Sequence, residues 1–315
     1  MRSSQIPGRG KLATRNARHI VNEIVPCDNS HMGKVQIEAS RPRTSIWQNG
    51  IMRTVRIISQ VLWRKISPPK TDFMTIRRTE LGLSVGRATG GVVVRGPFSG
   101  TKLPRDLTWG AADLGGMLLG FYEEEIVAAL KIKTRGRSIL VDVGAGDGFY
   151  VNGALASGMV KRVIVFESDG ASIEVMRCGL RMNNIESKVE IFGHADEGFS
   201  DLLTARTDFT MQDSVILFDI EGGEYDILNE KTLEALLGAC LIIELHEFTD
   251  QQIAAAAQLV HIAEKVGNTV SWIHPGGRNP YGFAELERFS DNDKWALVSE
   301  GRPSEMRWLV LESAS

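Results

Sequence analysis

From Val141 to Tyr150 the chain reads Val-Asp-Val-Gly-Ala-Gly-Asp-Gly-Phe-Tyr, so Asp142, Gly144, Gly146 and Gly148 recur at alternate positions. Glycines so spaced let a backbone turn sharply and approach a ligand with no Cβ in the way, and a following helix offers unpaired N–H groups. The pattern suits a nucleotide-type cofactor. It is not the dinucleotide fingerprint GxGxxG, whose third glycine would fall where Phe149 stands, and no Gly-Lys-Ser/Thr follows to make a P-loop. Glu167 closes the next apolar run, Val165-Phe166-Glu167. A carboxylate there can accept both hydroxyl protons of a ribose. Asp196 follows a third apolar run and is a candidate acceptor for an adenine amino group.

A second group of reactive residues lies further on. Asp219, Glu221 and Glu224 follow the run Val215–Phe218, and Glu244 and His246 end the run Leu241–Leu245. A carboxylate pair on a Glu221-Gly222-Gly223-Glu224 turn, directly after an apolar strand, answers no packing need and points to a functional rim. His246 is the candidate general base, because a neutral imidazole accepts a proton near pH 7 with little tuning. Asp219 and Glu221 are candidates to shape the loop, orient the cofactor or act beside His246, and Glu224 and Glu244 to bind substrate. Asp219, Glu244 and His246 could instead hold a divalent metal ion that acidifies an acceptor hydroxyl.

These residues need a frame that brings strand ends together. After Tyr122 short aliphatic runs alternate with helical segments: strands are expected at Ile139–Val143, Val163–Phe166, Val189–Phe192, Val215–Asp219, Leu241–Leu245, Thr269–Ile273 and Trp308–Leu311, and helices near Phe149–Ser157, Ala171–Met182, Glu224–Leu237 and Gln251–Val266. Strands too apolar to have a wet face imply a mostly parallel, Rossmann-like α/β sheet of seven strands with helices on both faces, binding its ligand beyond the C-terminal strand ends. Further β-like runs are read at Leu81–Val85 and Gly91–Val94, and the 274–283 loop is read as lying near the substrate.

The glycine loop, Glu167 and Asp196 together resemble the class I S-adenosylmethionine-dependent methyltransferases. Within that class, Asp219-Ile220-Glu221-Gly222-Gly223-Glu224, Glu244-Leu245-His246 and the lead-in segments Gly96–Gly100 and Leu119–Glu123 resemble the FkbM-type family. The resemblance implies S-adenosylmethionine as cofactor, held by Asp142, Gly144, Gly146, Gly148, Glu167, Asp196 and Asp219. It implies methyl transfer to a hydroxyl of a sugar, glycan or polyketide-like metabolite. Many family members carry Asn where this chain has Asp147.

Of the 315 residues, 43% are hydrophobic and 24% charged, which excludes a wholly disordered chain or a collagen. The net charge of −3 conceals an asymmetry, because residues 1–110 carry +13 and the remainder −16. We expect a basic, disordered tail over 1–44, an extension over 45–95 with an amphipathic helix at 45–66, and the catalytic domain over 96–315. The extension could cover the domain, pair subunits in a homo-oligomer, touch an anionic membrane surface or track nucleic acid, although it carries no recognised nucleic-acid-binding module. Cys27, Cys178 and Cys240 lack a CxxC pattern and are read as buried thiols of a cytoplasmic protein.

Overall fold

The computed structural model describes residues 72–314 apart from Glu197 and Pro303. The expected tail and the amphipathic helix at 45–66 lie outside the described residues. Seven strands form one sheet: β1 Ile139–Val143, β2 Arg162–Phe166, β3 Val189–Phe192, β4 Ser214–Phe218, β5 Cys240–Leu245, β6 Asn268–Ile273 and β7 Arg307–Ser313. Their spatial order is β3-β2-β1-β4-β5-β7-β6, parallel from β3 to β5, with β7 antiparallel to both its neighbours.

Every residue of β1, β4 and β5 is buried. Leu140 packs into one apolar layer while Ile139, Val141 and Val143 pack into the other, as the two-residue period of a strand covered on both faces requires. The chain winds outward through β1, β2 and β3, then returns across the sheet to β4 beside β1. The reversal leaves a crevice beyond the carboxyl ends of β1 and β4.

The helices, in chain order, are α1 Phe73–Thr89, α2 Leu114–Leu119, α3 Glu124–Lys133, α4 Phe149–Ala156, α5 Gly170–Met182, α6 Phe199–Thr204, α7 Glu224–Ile227, α8 Glu230–Ala235, α9 Asp250–Lys265 and α10 Asp291–Val298. Leu81–Val85 is not β-like but lies inside α1, which Asp72 caps by accepting from the Thr75 N–H at 2.8 Å. The face of α1 that meets α2 is made by glycine: a Cβ on Gly82 would stand 3.0 Å from the Gly115 nitrogen. Leu81, Val85 and Val93 join the same core as Leu140 and Leu217. The single helix expected over Glu224–Leu237 is two, because Asn229 caps α8 through the Thr232 N–H.

Cys240 is buried and free, and Cys178 is also buried. Among the described residues no helix is long and apolar enough to cross a membrane.

Candidate active site

A cavity of about 910 Å³ opens at the carboxyl ends of the strands, lined by the 142–150 loop, Glu167, the 194–196 turn, Asp219–Glu221 and the segment 103–122. Gly144 takes φ 91°, and a Cβ there would overlap the Asp219 carbonyl oxygen, so the β1 loop can lie against the β4 loop only with glycine. Gly148 takes φ 80° as the N-cap of α4, where a Cβ would overlap the Met176 side chain. Gly146 faces open space.

Glu167 ties the β1 and β2 loops together. One carboxylate oxygen accepts from the Gly146 N–H at 2.7 Å, and the other from Ser168 and Asp169, each also at 2.7 Å. Three backbone donors fix the carboxylate, and its remaining lone pairs face the cavity it lines. Asp142 is 1% exposed, and its Oδ2 has no hydrogen-bond partner. Burial, and then the charge of Glu167, push its carboxyl up to about 8. An orphaned buried oxygen beside a Cβ-free loop fits a bound molecule that brings its own polar or cationic groups. Asp196 also lines the cavity, while one of its oxygens accepts from the Gly198 N–H at 2.8 Å.

Asp147 lines the cavity too, beside the 108–110 segment. Its carboxylate accepts from the Thr108 hydroxyl, from the Trp109 N–H at 2.7 Å and from the Gly110 N–H at 3.1 Å. It clamps the 108–110 segment onto the glycine loop. Phe149 packs edge-on against Phe98 and Tyr122 with ring centroids 5.3 Å apart, a filled space that the small residue of a dinucleotide fingerprint would leave open.

At the β4 and β5 ends Glu224 is fully buried. It accepts from the Gly222 N–H at 2.9 Å, the His246 N–H at 3.2 Å and His246 Nδ1 at 3.1 Å. A carboxylate on Nδ1 fixes the tautomer that leaves Nε2 to take a proton. Nε2 lies 3.5 Å from Glu244 and 3.7 Å from both Asp219 and Glu221. Burial alone would lower the imidazole pKa, but the Glu224 hydrogen bond and the charges of Glu224, Glu244 and Glu221 outweigh it and raise the value.

Asp219 is held well above the usual carboxylate range by burial and by the adjoining charge and hydrogen bond of Glu244. Arg302 grips both Glu244 and Glu123, and Tyr150 donates its hydroxyl to Glu123, whose carboxyl burial pushes up to about 8.

The structure therefore brings Asp219, Glu221, Glu224, Glu244 and His246 into one group, of which only Asp219 and Glu221 line the cavity. His246 is 2% exposed and stands behind them. Among the described residues the group with metal-ligand spacing is Asp219, Glu221 and His246, with donor atoms within 4.8 Å of one another; Glu244, expected in that set, is engaged by Arg302. The 274–283 loop does not line the cavity, because Arg278 pins it to the Phe121 carbonyl at 2.7 Å, Glu125 at 2.7 Å and Glu300 at 2.6 Å. The roles of Glu123 and Arg302 escaped the sequence reading: Glu123 ends the lead-in segment Leu119–Glu123 without being singled out, whereas Arg302 lies in no motif and meets Glu244 and Glu123 across at least 58 residues of chain.

No protein-family model matches this chain, and no curated protein matches it. Solved structures do. An rRNA methylase from Streptococcus thermophilus is 16% identical over 61% of this chain and 98% of its own, with a TM-score of 0.42. Precorrin-6y C5,15-methyltransferase from Geobacter metallireducens GS-15 is 13% identical over 61% of this chain and 88% of its own, at 0.39. A Klebsiella pneumoniae protein assigned as an O-methyltransferase is 12% identical over 82% of this chain and 97% of its own, at 0.41.

Proposed function

We propose that this protein is an S-adenosylmethionine-dependent O-methyltransferase of the FkbM type. The observation that carries the reading is one cavity walled at one end by the glycine loop, Asp142 and Glu167 and at the other by Asp219 and Glu221, with His246 behind them. S-adenosylmethionine, when bound, supplies an electrophilic methyl group on a sulfonium. Glu167 would hold the ribose hydroxyls, Asp142 would offer its orphaned oxygen to a donor group and Asp196 would accept from the adenine amino group, while the loop glycines leave room for the backbone to approach.

Little covalent help is required of the protein in such a transfer. Alignment of donor carbon and acceptor oxygen is the main contribution, worth roughly 7–11 kcal/mol when the geometry is preorganised. The acceptor hydroxyl must also shed a proton. Asp219 and Glu221 touch the cavity, and His246 Nε2, held in the accepting tautomer by Glu224, takes the proton through them; we place His246 as a positioning and proton-holding residue behind the contact. A second reading puts a divalent ion on Asp219, Glu221 and His246. Full activity in excess EDTA removes that second reading.

Calorimetry with S-adenosylmethionine and with NAD tests the proposal at its base. We expect binding of the former alone, and failure to bind it sinks the methyltransferase reading. Transfer of label from S-adenosylmethionine to cell-extract fractions, followed by mass spectrometry of the products, then identifies the acceptor.

A further inference from the structure

One wall of the cavity is supplied by the segment 103–122 and the start of α4. Its side chains are largely apolar: Leu103, Leu107, Trp109, Met117, Tyr122 and Tyr150. Trp109 is 56% exposed although its backbone is held by Asp147, so an aromatic ring stands unburied at the cavity's edge on a fixed support. Burial holds the phenols of Tyr122 and Tyr150 well above their ordinary value, so they remain neutral. Eight carboxylate side chains line the same cavity, and among the described residues no lysine or arginine does. Arg78 and Arg302 are directed at Asp113, Glu123 and Glu244.

An acceptor bearing phosphate or carboxylate would meet no lysine or arginine among the described residues, only His194, and would meet the Glu221 carboxylate at the transfer end, a combination that costs affinity where water is displaced. Recognition of a nucleic-acid backbone demands the opposite lining. Sugars need many convergent hydrogen-bond partners, whereas this wall offers apolar area and the two phenols. Resting on the methyltransferase reading above, we infer that the acceptor is a non-anionic, largely apolar hydroxylated molecule, uncharged or amine-bearing, that lies against Trp109 and Leu107.

Two measurements on the full chain decide it. Cell extract separated into neutral, cationic, anionic and nucleic-acid fractions is incubated with the enzyme and methyl-labelled S-adenosylmethionine. Label is expected in the neutral or cationic fraction, and label chiefly in the anionic or nucleic-acid fraction overturns the inference. Saturation-transfer NMR on protein saturated with S-adenosylhomocysteine then compares tyrosol, tyramine and the phosphate monoester of tyrosol. We expect tyrosol or tyramine to bind at least about tenfold more tightly than the phosphate ester, and Trp109→Ala to weaken it. Equal or tighter binding of the phosphate ester overturns the inference. Calorimetry with S-adenosylmethionine separates the two levels: a protein that binds the cofactor yet prefers anionic acceptors refutes this inference alone, and one that does not bind the cofactor refutes the functional reading beneath it.

Discussion

The two ends of the cavity are built on different principles. At the β1–β2 end the work is done by backbone: glycines remove side chains, and Glu167 is fixed by three N–H groups contributed within a few residues of two strand ends. At the β4–β5 end it is done by side chains from four separate segments, where Glu123, Asp219, Glu224, Glu244, His246 and Arg302 form one network of close charged contacts. One end is geometrically rigid and chemically simple; the other is electrostatically coupled. Damage to the first should remove binding, and damage to the second should leave binding and remove turnover.

The largest effect is expected from Gly144→Ala. A Cβ would collide with the Asp219 carbonyl oxygen from a left-handed φ, so the β1 and β4 loops must separate. We expect loss of detectable cofactor binding by calorimetry and a melting temperature several degrees lower. Wild-type cofactor affinity would show that the loops are not set by this contact.

His246→Asn should act only at the coupled end. A general base contributes about 10²–10⁴-fold to rate. The variant should lose that much kcat while its cofactor Kd moves less than about threefold. The pH profile carries the sign: the raised imidazole pKa means the group is protonated and useless as a base at low pH, so wild-type kcat should fall on the acid side with its midpoint above the usual histidine value. His246→Asn should flatten that limb. An unchanged limb would assign it to another group.

Asp147→Asn probes the joint between the two ends, with a smaller expected effect. The Trp109 and Gly110 N–H groups donate to one carboxylate oxygen and the Thr108 hydroxyl to the other, so the amide replaces the Thr108 acceptor with a donor and leaves an uncharged oxygen for the two N–H groups, and the clamp should weaken. Faster amide exchange at 109–110 with cofactor affinity unchanged would confirm a clamp on the acceptor wall. A matching loss of cofactor affinity would make Asp147 a cofactor ligand instead.

What the sequence reveals follows the same division. Every strand was legible to within two residues: β1, β4 and β5 because buried parallel strands must be continuous aliphatic runs, and the part-exposed edge strands β3 and β6 by their β-branched and aromatic residues. The glycine loop was legible because its function resides in local spacing. Helix α1 was not: Gly82 and Gly86 share its buried face with Leu81 and Val85, so a single apolar i, i+4 step is all that marks a helical period there. Nor was the partnership of Arg302 with Glu123 and Glu244, which long-range packing creates and no local pattern records. His246 was found by its position after β5, but its retreat behind Asp219 and Glu221 depends on Glu224, whose full burial the turn sequence does not announce.

The last effect falls on stability, where the rigid end carries an electrostatic cost. The folded protein holds the Asp142 carboxyl at about 8 against an ordinary 3.8, so the folded state binds this proton more tightly than the unfolded chain does. Stability from this group is full below the unfolded pKa, falls as pH rises from about 4 to about 8, and is level above that. Asp142→Asn cannot titrate, so its stability should decline less steeply across the same interval, and the difference between the two denaturation curves should grow with pH. Saturating S-adenosylmethionine should narrow that difference, because a donor at Asp142 favours the ionised form. Parallel curves for the two proteins between pH 4 and 8 would mean that Asp142 ionises normally, and that the orphaned oxygen is already satisfied before any ligand arrives.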